Sequence, residues 1–582
     1  MSQLHSGRSS AMTDRLLTSS PLSSARSTPV IFATASPEAR TIFRQAQPLP
    51  YELLKHVYIY LEESLFLQAF RLLFSLSSAP IGNGRKGIPI PPPECLAVIA
   101  TLTIHPDLTT RAKSEEQLSQ PNSALRYLRT ITKLTGPIHA NLAEAYRFRK
   151  FDDAYRSDDS SETLAAQTLT IKYADSSSLF TSKDDFWAVV GWALNCSCLT
   201  GPHVSRWTYW RPWLDHMLDV LETDWSLRED DGTCHQSILW QYISQATGGN
   251  AKARRLLRAI FADGSQNCIT EFGEVFRKEL RGPKNNKQSG LKQEAAVNVD
   301  EEIYGDWLKE SESSSEEDSA MQIENGAERA SKRIRTRTPS TRRRKTPGAS
   351  KHSTLTDNDD SDASSFEHGS SISGLGLPES ITIRLRLLQL LADASAQQAL
   401  RAGDDGLSWP GLRELYTLFV EFVQHLPLPV FQQFVLPTIS SASLRPDTRV
   451  ALCEFILQCI ASHDGRSISY TTLESMTLSR LVEQYLGQVA NKSPIEWQTK
   501  MSLLLESILR QMRKQGTSDL TSIANLAEVV NEGIRRREAK AADVRESAKY
   551  KKGSNHRDEE LAYQMLLESG ARIAFITRQL DR

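Results

Sequence analysis

A long segment in the middle of the chain is poor in large apolar residues, and this feature constrains the fold more than any other. From Arg281 to about Leu377 the sequence is dominated by Ser, Asp, Glu, Lys and Arg. Such a segment buries too little apolar surface to offset the conformational entropy lost on ordering. We therefore expect residues 281–378 to form a disordered linker between two parts of the 582-residue chain that do fold.

On both sides of this linker, apolar residues recur at steps of three and four, which is the spacing of an amphipathic helix. The first such stripe runs from Leu54 to Leu72 and predicts one helix. Strand-like alternation is scarce, and its best example is the short run from Leu169 to Tyr173. The other helical stripes lie near 94–104, 123–134, 137–150, 183–199, 209–226, 235–246, 251–263, 268–280, 412–423, 452–460, 478–489 and 501–512.

Helices of this length, with polar backs and short loops, bury their apolar faces most simply as antiparallel pairs stacked side by side. We therefore predict an all-α chain whose two halves are irregular HEAT- or armadillo-like α-solenoids, although the sequence has no fixed period. An irregular helical bundle is the alternative. The predicted divisions are a disordered Ser-, Thr- and Arg-rich tail (1–45), an N-terminal all-α domain (46–280), the linker (281–378), a C-terminal all-α domain (379–534) and a basic helical extension with a terminal helix broken at Gly570 (535–582).

Charge and cysteine usage exclude several classes of protein. Lys and Arg total 69 and Asp and Glu total 70, so the whole chain is not drawn to nucleic acid or to an anionic membrane, although a local patch can be. No run of residues is as long and apolar as a membrane helix requires, and we expect no membrane partner. Seven cysteines without regular spacing indicate a reducing compartment. The composition of the first 40 or so residues also suits a mitochondrial presequence, which is the alternative to a disordered tail.

The linker contains a dense block of basic residues. Nine basic residues and no acidic ones occur between Ser331 and Lys351. Two clusters with this spacing are typical of a bipartite-like nuclear localisation signal, which predicts a nuclear import receptor as a partner and the nucleus as the compartment. Auxiliary contact with DNA or RNA and a plain solvated run are the alternatives. The residues of the predicted signal are Lys332, Arg333, Arg335, Arg337, Arg342, Arg343, Arg344 and Lys345.

The same linker carries candidate phosphorylation sites. Thr338 and Thr346 precede prolines inside the basic block, where a phosphate would cancel nearly two positive charges. Ser313, Ser314 and Ser315 each have an acidic residue three positions later, which suits an acid-directed kinase. We predict that phosphorylation regulates this segment.

A short aromatic element lies in the acidic part of the linker. Tyr304, Trp307 and Leu308 stand among nine acidic residues between Asp300 and Asp318. Aromatic anchors in such a setting are typical of a motif that forms a helix in the groove of a partner. A chance cluster is the competing interpretation.

Seven of the ten tryptophans lie between residues 187 and 240. This density predicts a large rigid core, or an aromatic docking surface. From Arg206 to Arg211 aromatic and basic residues alternate, ahead of a helix that we expect to start near residue 209 with Pro212 in its first turn. We therefore predict an exposed partner site in the folded part at Trp207, Tyr209 and Trp210.

The remaining motifs have ordinary interpretations. Gly82 to Gly87 matches G-x-G-x-x-G, but the prolines that follow forbid the helix a dinucleotide site needs, so we predict a loop. The spacing of Cys196, Cys198 and the nearby His and Cys residues matches no compact zinc site, and buried thiols are expected. We find no catalytic constellation and predict no catalytic residue, metal or cofactor.

The last feature is a basic stretch at residues 535–552, which we interpret as a solvated helix or, alternatively, as a surface for nucleic acid. Together these features predict a non-enzymatic nuclear scaffold or adaptor, a subunit of a multiprotein complex in chromosome maintenance or nuclear assembly. A direct nucleic-acid-binding protein that uses 332–351 and 535–552 is the alternative. An enzyme with a spatially assembled site is the third hypothesis.

Overall fold

Helices make up nearly all of the regular secondary structure in the part of the chain that the computed structural model describes. The predicted all-α class is therefore confirmed, whereas these elements do not show the finer prediction of a HEAT- or armadillo-like repeat. Residues from Arg44 onward belong to one compact unit. The described residues are 43–78, 87–149, 169–248, 251–282, 374–400, 409–437, 444–461, 477–492, 494–515, 526–548 and 556–580.

The part before the linker is built from eleven α-helices among its described residues. Local signals fix several of their starts: the Asp185 side chain accepts from the amide of Ala188 and caps one helix, and Gly201 (φ 71°) with Pro202 begins the next. The helices are α1 (Tyr51–Glu62), α2 (Phe66–Ser78), α3 (Pro93–Leu102), α4 (Glu115–His139), α5 (Leu142–Ala145), α6 (Leu179–Ser182), α7 (Phe186–Cys198), α8 (Pro202–Asp230), α9 (Ile238–Gln245), α10 (Lys252–Ile260) and α11 (Gln266–Glu271), with 3-10 turns at Pro106–Leu108 and Cys234–Gln236.

Two short parallel strands, β1 (Ala46–Pro48) and β2 (Ile88–Ile90), form the sheet seen among the described residues, with Ala46 paired to Ile88. The strand predicted at Leu169 to Tyr173 is wrong. The amide of Ala174 donates to the carbonyl of Ile171 at 2.9 Å, which shows that the chain forms a turn here and not an extended strand. Of the glycine-rich loop, only Gly87 lies within the described residues.

Two predicted helix boundaries are also wrong. The stripe from Leu54 to Leu72 is divided between α1 and α2 by a turn at Ser64, whose φ is +58°. Helix α8 begins at Pro202, ahead of the expected start, so Pro212 lies inside the helix. The carbonyl of Pro212 accepts a hydrogen bond from Arg129 Nη2 of α4 at 2.9 Å, which ties the two long helices together.

The part after the linker is also helical, and its last helix contradicts the predicted break at Gly570. That helix continues through Gly570, where a Cβ would stand 3.0 Å from Ile534 Cγ2, so the glycine permits two helices to pack closely. The helices are α12 (Pro378–Ala396), α13 (Leu412–Val423), α14 (Leu428–Val435), α15 (Pro446–Ala461), α16 (Leu478–Leu481), α17 (Ile495–Gln515), α18 (Leu526–Ala548) and α19 (His556–Leu580), with a π-helical turn at Val482–Leu486 and a 3-10 turn at Gln398–Leu400.

Helices from before and after the linker pack on each other. Helix α12 lies against α8 and α10, and α13 lies against α10. The ring of Phe261 stacks on Phe422 and Phe434, with centroids 5.2 and 5.7 Å apart. Buried apolar side chains from both parts therefore belong to one continuous core. No helix within the described ranges has the length and apolar character needed to cross a bilayer.

Candidate protein-interaction site

The tryptophan-rich stretch lies mostly in the core, which corrects the prediction of an exposed site there. Trp207 is 3% exposed and Trp210 is fully buried, as is Arg206. Tyr209 is half-buried and Arg211 is exposed. Because α8 already includes these residues, the alternating pattern falls on a helix and turns Trp207 and Trp210 inward. Binding of a partner at Tyr209 stays a prediction.

Arg206 is the centre of a buried polar network. Its Nε donates to Glu279 Oε1 at 2.7 Å, its Nη1 to the Thr109 hydroxyl at 2.7 Å, and its Nη2 to the carbonyl of Ile104 at 2.7 Å. Trp210 Nε1 also donates to Glu279 Oε1, at 2.9 Å. The other carboxylate oxygen of Glu279 accepts from the amides of Val275 and Phe276. This network ties α8 to the segment around Ile104 and Thr109 and to the segment around Glu279. Because its charges are buried and hydrogen-bonded, they are not accessible to a partner protein.

A second buried arginine joins the two helical parts. Arg384 of α12 donates to the carbonyls of Ile260, Ala262 and Leu375, the last two at 2.8 and 3.3 Å. Ile260 ends α10, so the guanidinium also faces the negative end of that helix dipole. Burial lowers the pKa of Arg384 below its ordinary value. Nearby, a Cβ on Gly376 would stand 2.4 Å from the carbonyl oxygen of Ser197, so the two parts meet backbone to backbone.

Beside the contacts of Arg384, a polar cleft of about 420 Å³ lies on the surface between α8, α12 and the start of α15. Arg386 of α12 binds Asp219 and Glu222 of α8 at 2.6 and 2.7 Å. Across the cleft Asp393 pairs with Arg445 and accepts from Gln389 at 2.8 Å. Burial raises the pKa of Asp393 to about 6, in spite of Arg445. The charged side chains that line this cleft are therefore largely paired with one another.

Helix α1 carries two exposed large apolar side chains of the first part, next to the exposed charges of Glu52 and Lys55. Its buried residues are Val57 and Leu61, which pack on α2. Tyr51 is 63% exposed and Ile59 42% exposed, one on each side of Lys55 at four-residue steps. These residues share one side of the helix because positions four apart are neighbours on its surface.

The same helix adds aromatic groups. His56 stacks on Tyr60 with ring centroids 6.4 Å apart, and Leu65 is exposed in the turn after the helix. We refer to Tyr51, His56, Ile59, Tyr60 and Leu65 as the α1 face. A mixed surface of this kind, with exposed tyrosine and aliphatic groups beside charged side chains, is what protein partners commonly bury. The signal for it in the sequence was the apolar run from Leu53 to Leu61, which has more apolar residues than the core buries. Val57 and Leu61 are buried, and Leu54, Tyr58 and Tyr60 are half-buried against the core, whereas Ile59 is exposed.

The described part of the basic stretch at 535–552 is engaged within the protein. Arg537 is buried, and its Nη1 donates to the carbonyls of Leu486 and Gln488 at 3.0 and 3.1 Å. Lys540 donates to the carbonyl of Ala490 at 2.6 Å. Arg545 pairs with Glu560 at 2.6 Å. Burial lowers the pKa of Arg537 to about 10.

The two exposed arginines of that stretch also have acidic partners. Arg535 and Arg536 both contact the carboxylate of Glu532 at 2.9 Å. All five basic residues of 535–548 therefore have acceptors inside the molecule. The pairs with Glu532 and Glu560 and the burial of Arg537 reduce the positive charge that this part of the stretch offers to a phosphate backbone.

The cysteines predicted as buried thiols lie where expected for Cys196 and Cys198, which are buried. Burial raises the pKa of Cys196 well above its ordinary value, which disfavours the thiolate that binds metals. Among the residues described by the structure, no three His, Cys, Asp or Glu side chains form a group that could hold a metal ion. His216 is buried against the hydroxyl of Tyr146 at 3.1 Å, and burial lowers the pKa of His216 to about 3.

The predicted residues of the linker lie outside the described residues. They are the nuclear signal (Lys332, Arg333, Arg335, Arg337, Arg342, Arg343, Arg344 and Lys345), the phosphorylation candidates (Ser313, Ser314, Ser315, Thr338 and Thr346) and the aromatic element (Tyr304, Trp307 and Leu308). Each stays a prediction. In comparisons with protein-family models, curated proteins and solved structures, nothing matches this chain.

Proposed function

We propose that this protein is a non-enzymatic scaffold or adaptor that binds a partner protein through the α1 face and works as a subunit of a nuclear complex. The α1 face is the observation that carries the proposal, because it combines exposed tyrosine and aliphatic groups at the edge of a well-packed helical core. The nuclear setting rests on the basic block at 331–351. Solenoid-like stacking of helix pairs is part of the same proposal.

The test compares proteins retained by three tagged full-length chains purified from nuclease-treated nuclear extract at moderate salt. One chain is unchanged, the second carries Tyr51→Ser and Ile59→Ser, and the third carries Leu118→Ser on α4. Leu118 is the matched control because its side chain is as exposed (41%) as that of Ile59 (42%) but lies outside the α1 face. We expect a stoichiometric set of proteins that the double variant loses and the Leu118 variant keeps.

Two results would count against the proposal. If all three chains retain the same partners, the α1 face is not the docking surface. If the unchanged chain is recovered alone after nuclease treatment, it is not a scaffold, and direct binding of nucleic acid becomes the better account. Thermal melts followed by circular dichroism must coincide for the three chains, which removes unfolding as an explanation.

The nucleic-acid alternative makes a different prediction about the two basic segments. If it holds, neutralising Arg342, Arg343 and Arg344 weakens binding and lowers its salt dependence. Neutralising Arg535 and Arg536 has a smaller effect, because Glu532 already offsets one of their two charges. Equal losses from the two sets would restore the C-terminal stretch as a nucleic-acid surface.

A further inference from the structure

A second polar cleft, of about 400 Å³, lies where the α1–α2 turn, the Pro106–Leu108 turn, the start of α4 and the 171–177 turn meet. This volume is within the range of small-ligand sites. We refer to it as the Lys172 cleft. The lining residues that bear on its chemistry are Asp107, Arg111, Lys113, Gln120, Lys172 and Tyr173.

The Lys172 cleft carries a net positive charge. Asp107 pairs with Arg111 at 2.7 Å and with Lys172 at 3.0 Å, and Lys113 adds a third cation. Three cations and one carboxylate leave a charge of about +2. Burial would raise the pKa of Asp107, but hydrogen bonding and charge from Lys172, with the nearby His105 and Arg111, hold this pKa below its ordinary value. Glu62 is not part of the lining of the cleft. Its carboxylate accepts from the amide of Thr170, next to the 171–177 turn, at 3.1 Å.

Two polar atoms in the wall have no hydrogen-bond partner among the described residues. They are Oε1 of Gln120, whose residue is only 7% exposed, and Nε of Arg111. An unsatisfied buried polar atom is unfavourable, because it has lost its hydrogen bond to water and gained no other. A ligand that meets this wall has to present anionic oxygen to the three cations and a hydrogen-bond donor to Gln120. A phosphate monoester attached to a peptide has both, since its oxygens accept and the peptide amide donates.

We propose that the Lys172 cleft binds a phosphate monoester, supplied by phosphoserine in the acidic segment 300–318 of this same chain. This segment has nine acidic residues and one basic residue, so its charge complements that of the cleft. Phosphorylation of Ser313, Ser314 and Ser315 would strengthen that complementarity. The proposal does not depend on the α1 face.

The described chain before the linker ends close to the Lys172 cleft. The ring of His105 contacts Tyr173 of the cleft and Phe276, with centroids 4.8 and 4.9 Å apart. Glu279, three residues beyond Phe276, is bound through Arg206 to Ile104 and Thr109, which flank the Pro106–Leu108 turn. Ser313 follows Gly282 by 31 residues, a length that spans up to about 100 Å. The segment can therefore reach the cleft with chain to spare.

The test measures binding of fluorescein-labelled peptides of residues 300–318 to the full-length protein by fluorescence anisotropy. One peptide carries phosphoserine at 313, 314 and 315, and its twin carries serine. The protein bears Ser313→Ala, Ser314→Ala and Ser315→Ala, so that its own segment cannot be phosphorylated at these positions. We expect the phosphopeptide to bind at least tenfold more tightly than its twin. Equal affinity of the two peptides would overturn the proposal.

Charge-neutralising variants locate the site. Lys113→Gln with Lys172→Gln should weaken phosphopeptide binding at least tenfold, and Lys113→Gln alone should weaken it without disturbing the pairs of Asp107. The matched control is Lys133→Gln, an exposed lysine of α4 that lies about 20 Å along the helix axis from Gln120. We expect the control to bind within twofold of the parent. Retained binding in the cleft variants, or equal loss in the control, would place the anion elsewhere and contradict the proposal.

Competition with free compounds separates the possible sources of the phosphate. We expect free O-phosphoserine and inorganic phosphate to displace the phosphopeptide only at concentrations at least tenfold higher than the phosphopeptide requires. If free O-phosphoserine binds as tightly as the peptide, the cleft recognises small phosphate esters and the assignment to residues 300–318 is wrong. These measurements leave Tyr51 and Ile59 unchanged, so their failure is distinguishable from failure of the α1 face.

Discussion

Arg206 Nε and Glu279 Oε1 are 2.7 Å apart, and neither side chain is exposed to solvent. They lie 73 positions apart in the chain, so their pairing fixes the end of the first helical part against α8. Buried pairs of this kind are costly to desolvate, but removing one partner leaves the other charge without compensation. The pair therefore specifies how this region packs, whatever its net contribution to stability.

Glu279→Gln should lower the free energy of unfolding by about 3–5 kcal/mol, because it leaves the buried guanidinium without its counter-charge. Arg206→Met should have a comparable effect. The measurement is urea denaturation followed by tryptophan fluorescence, to which Trp210 in the same network contributes. The control is Arg211→Ala, whose partner Glu379 lies 3.6 Å away at the surface and whose loss should cost less than about 1 kcal/mol. Equal effects at the buried and exposed sites would contradict this account.

The sequence predicted the helical class and most helix positions, because apolar periodicity reports directly on which face is buried. Met501 to Met512, for example, lies within α17 as expected. Periodicity did not reveal the break at Ser64, since apolar spacing continues across a tight turn. It also suggested a break at Gly570 that does not exist, because a glycine can serve close packing of two helices as well as the end of one.

The candidate site was less predictable than the fold. The alternation around Arg206 resembled an exposed surface, and its true role depends on Glu279 and Thr109, which are distant in sequence and give no local signal. The basic stretch after residue 535 had the same difficulty, because the carbonyls that Arg537 and Lys540 bind belong to residues about 50 positions earlier. A charge in sequence does not show whether its partner is water or a folded backbone.

Gly533 of α18 should not tolerate a methyl group. A Cβ there would stand 1.8 Å from the carbonyl oxygen of Leu486, so backbone would have to move. Gly533→Ala should lower stability by about 1–3 kcal/mol through overpacking, measured as a lower thermal midpoint. The matched control is Gly487→Ala, which sits at the same contact with its nearest atom, Val529 Cγ1, 3.9 Å away. Helix propensity favours alanine over glycine, so a loss at Gly533 has to come from the steric contact. A similar loss in the control would show that the contact with Leu486 does not decide the result.

Asp393 should make stability depend on pH in an unusual direction. Burial raises its pKa from 3.8 to about 6, so the protonated carboxyl is the form the fold prefers. The contribution of this group is therefore fully present below about pH 4 and is lost as the pH rises through 6. Asp393→Asn should be more stable than the parent by about 1–2 kcal/mol at pH 7.5, with Gln389 still able to donate to the side chain.

That difference should shrink as the pH falls below 6 and approach zero below about pH 4, as measured by urea denaturation across the pH range. Glu229 also disfavours ionisation of Asp393, whereas Arg445 favours it, and both must be kept unchanged. The control is Asp230→Asn, an exposed position at the end of α8, where we expect no comparable change of the stability difference with pH. A stability difference that stays constant with pH would rule out burial of Asp393 as its cause.

Arg384 should hold the two helical parts together even when the linker is cut. A specific protease site inserted near residue 350 allows cleavage of the full-length protein, and the two fragments should co-elute on gel filtration. Arg384→Met leaves the carbonyls of Ile260 and Ala262, which belong to the other fragment, without their donor, at about 1–3 kcal/mol for each buried acceptor. We expect that variant to release its fragments at lower urea concentration than the cleaved parent.

Arg386→Gln is the control, because its partners Asp219 and Glu222 are solvated and their loss should matter less. Fragments that separate in the unchanged protein would show that the aromatic and arginine contacts of this joint do not suffice without the covalent linker.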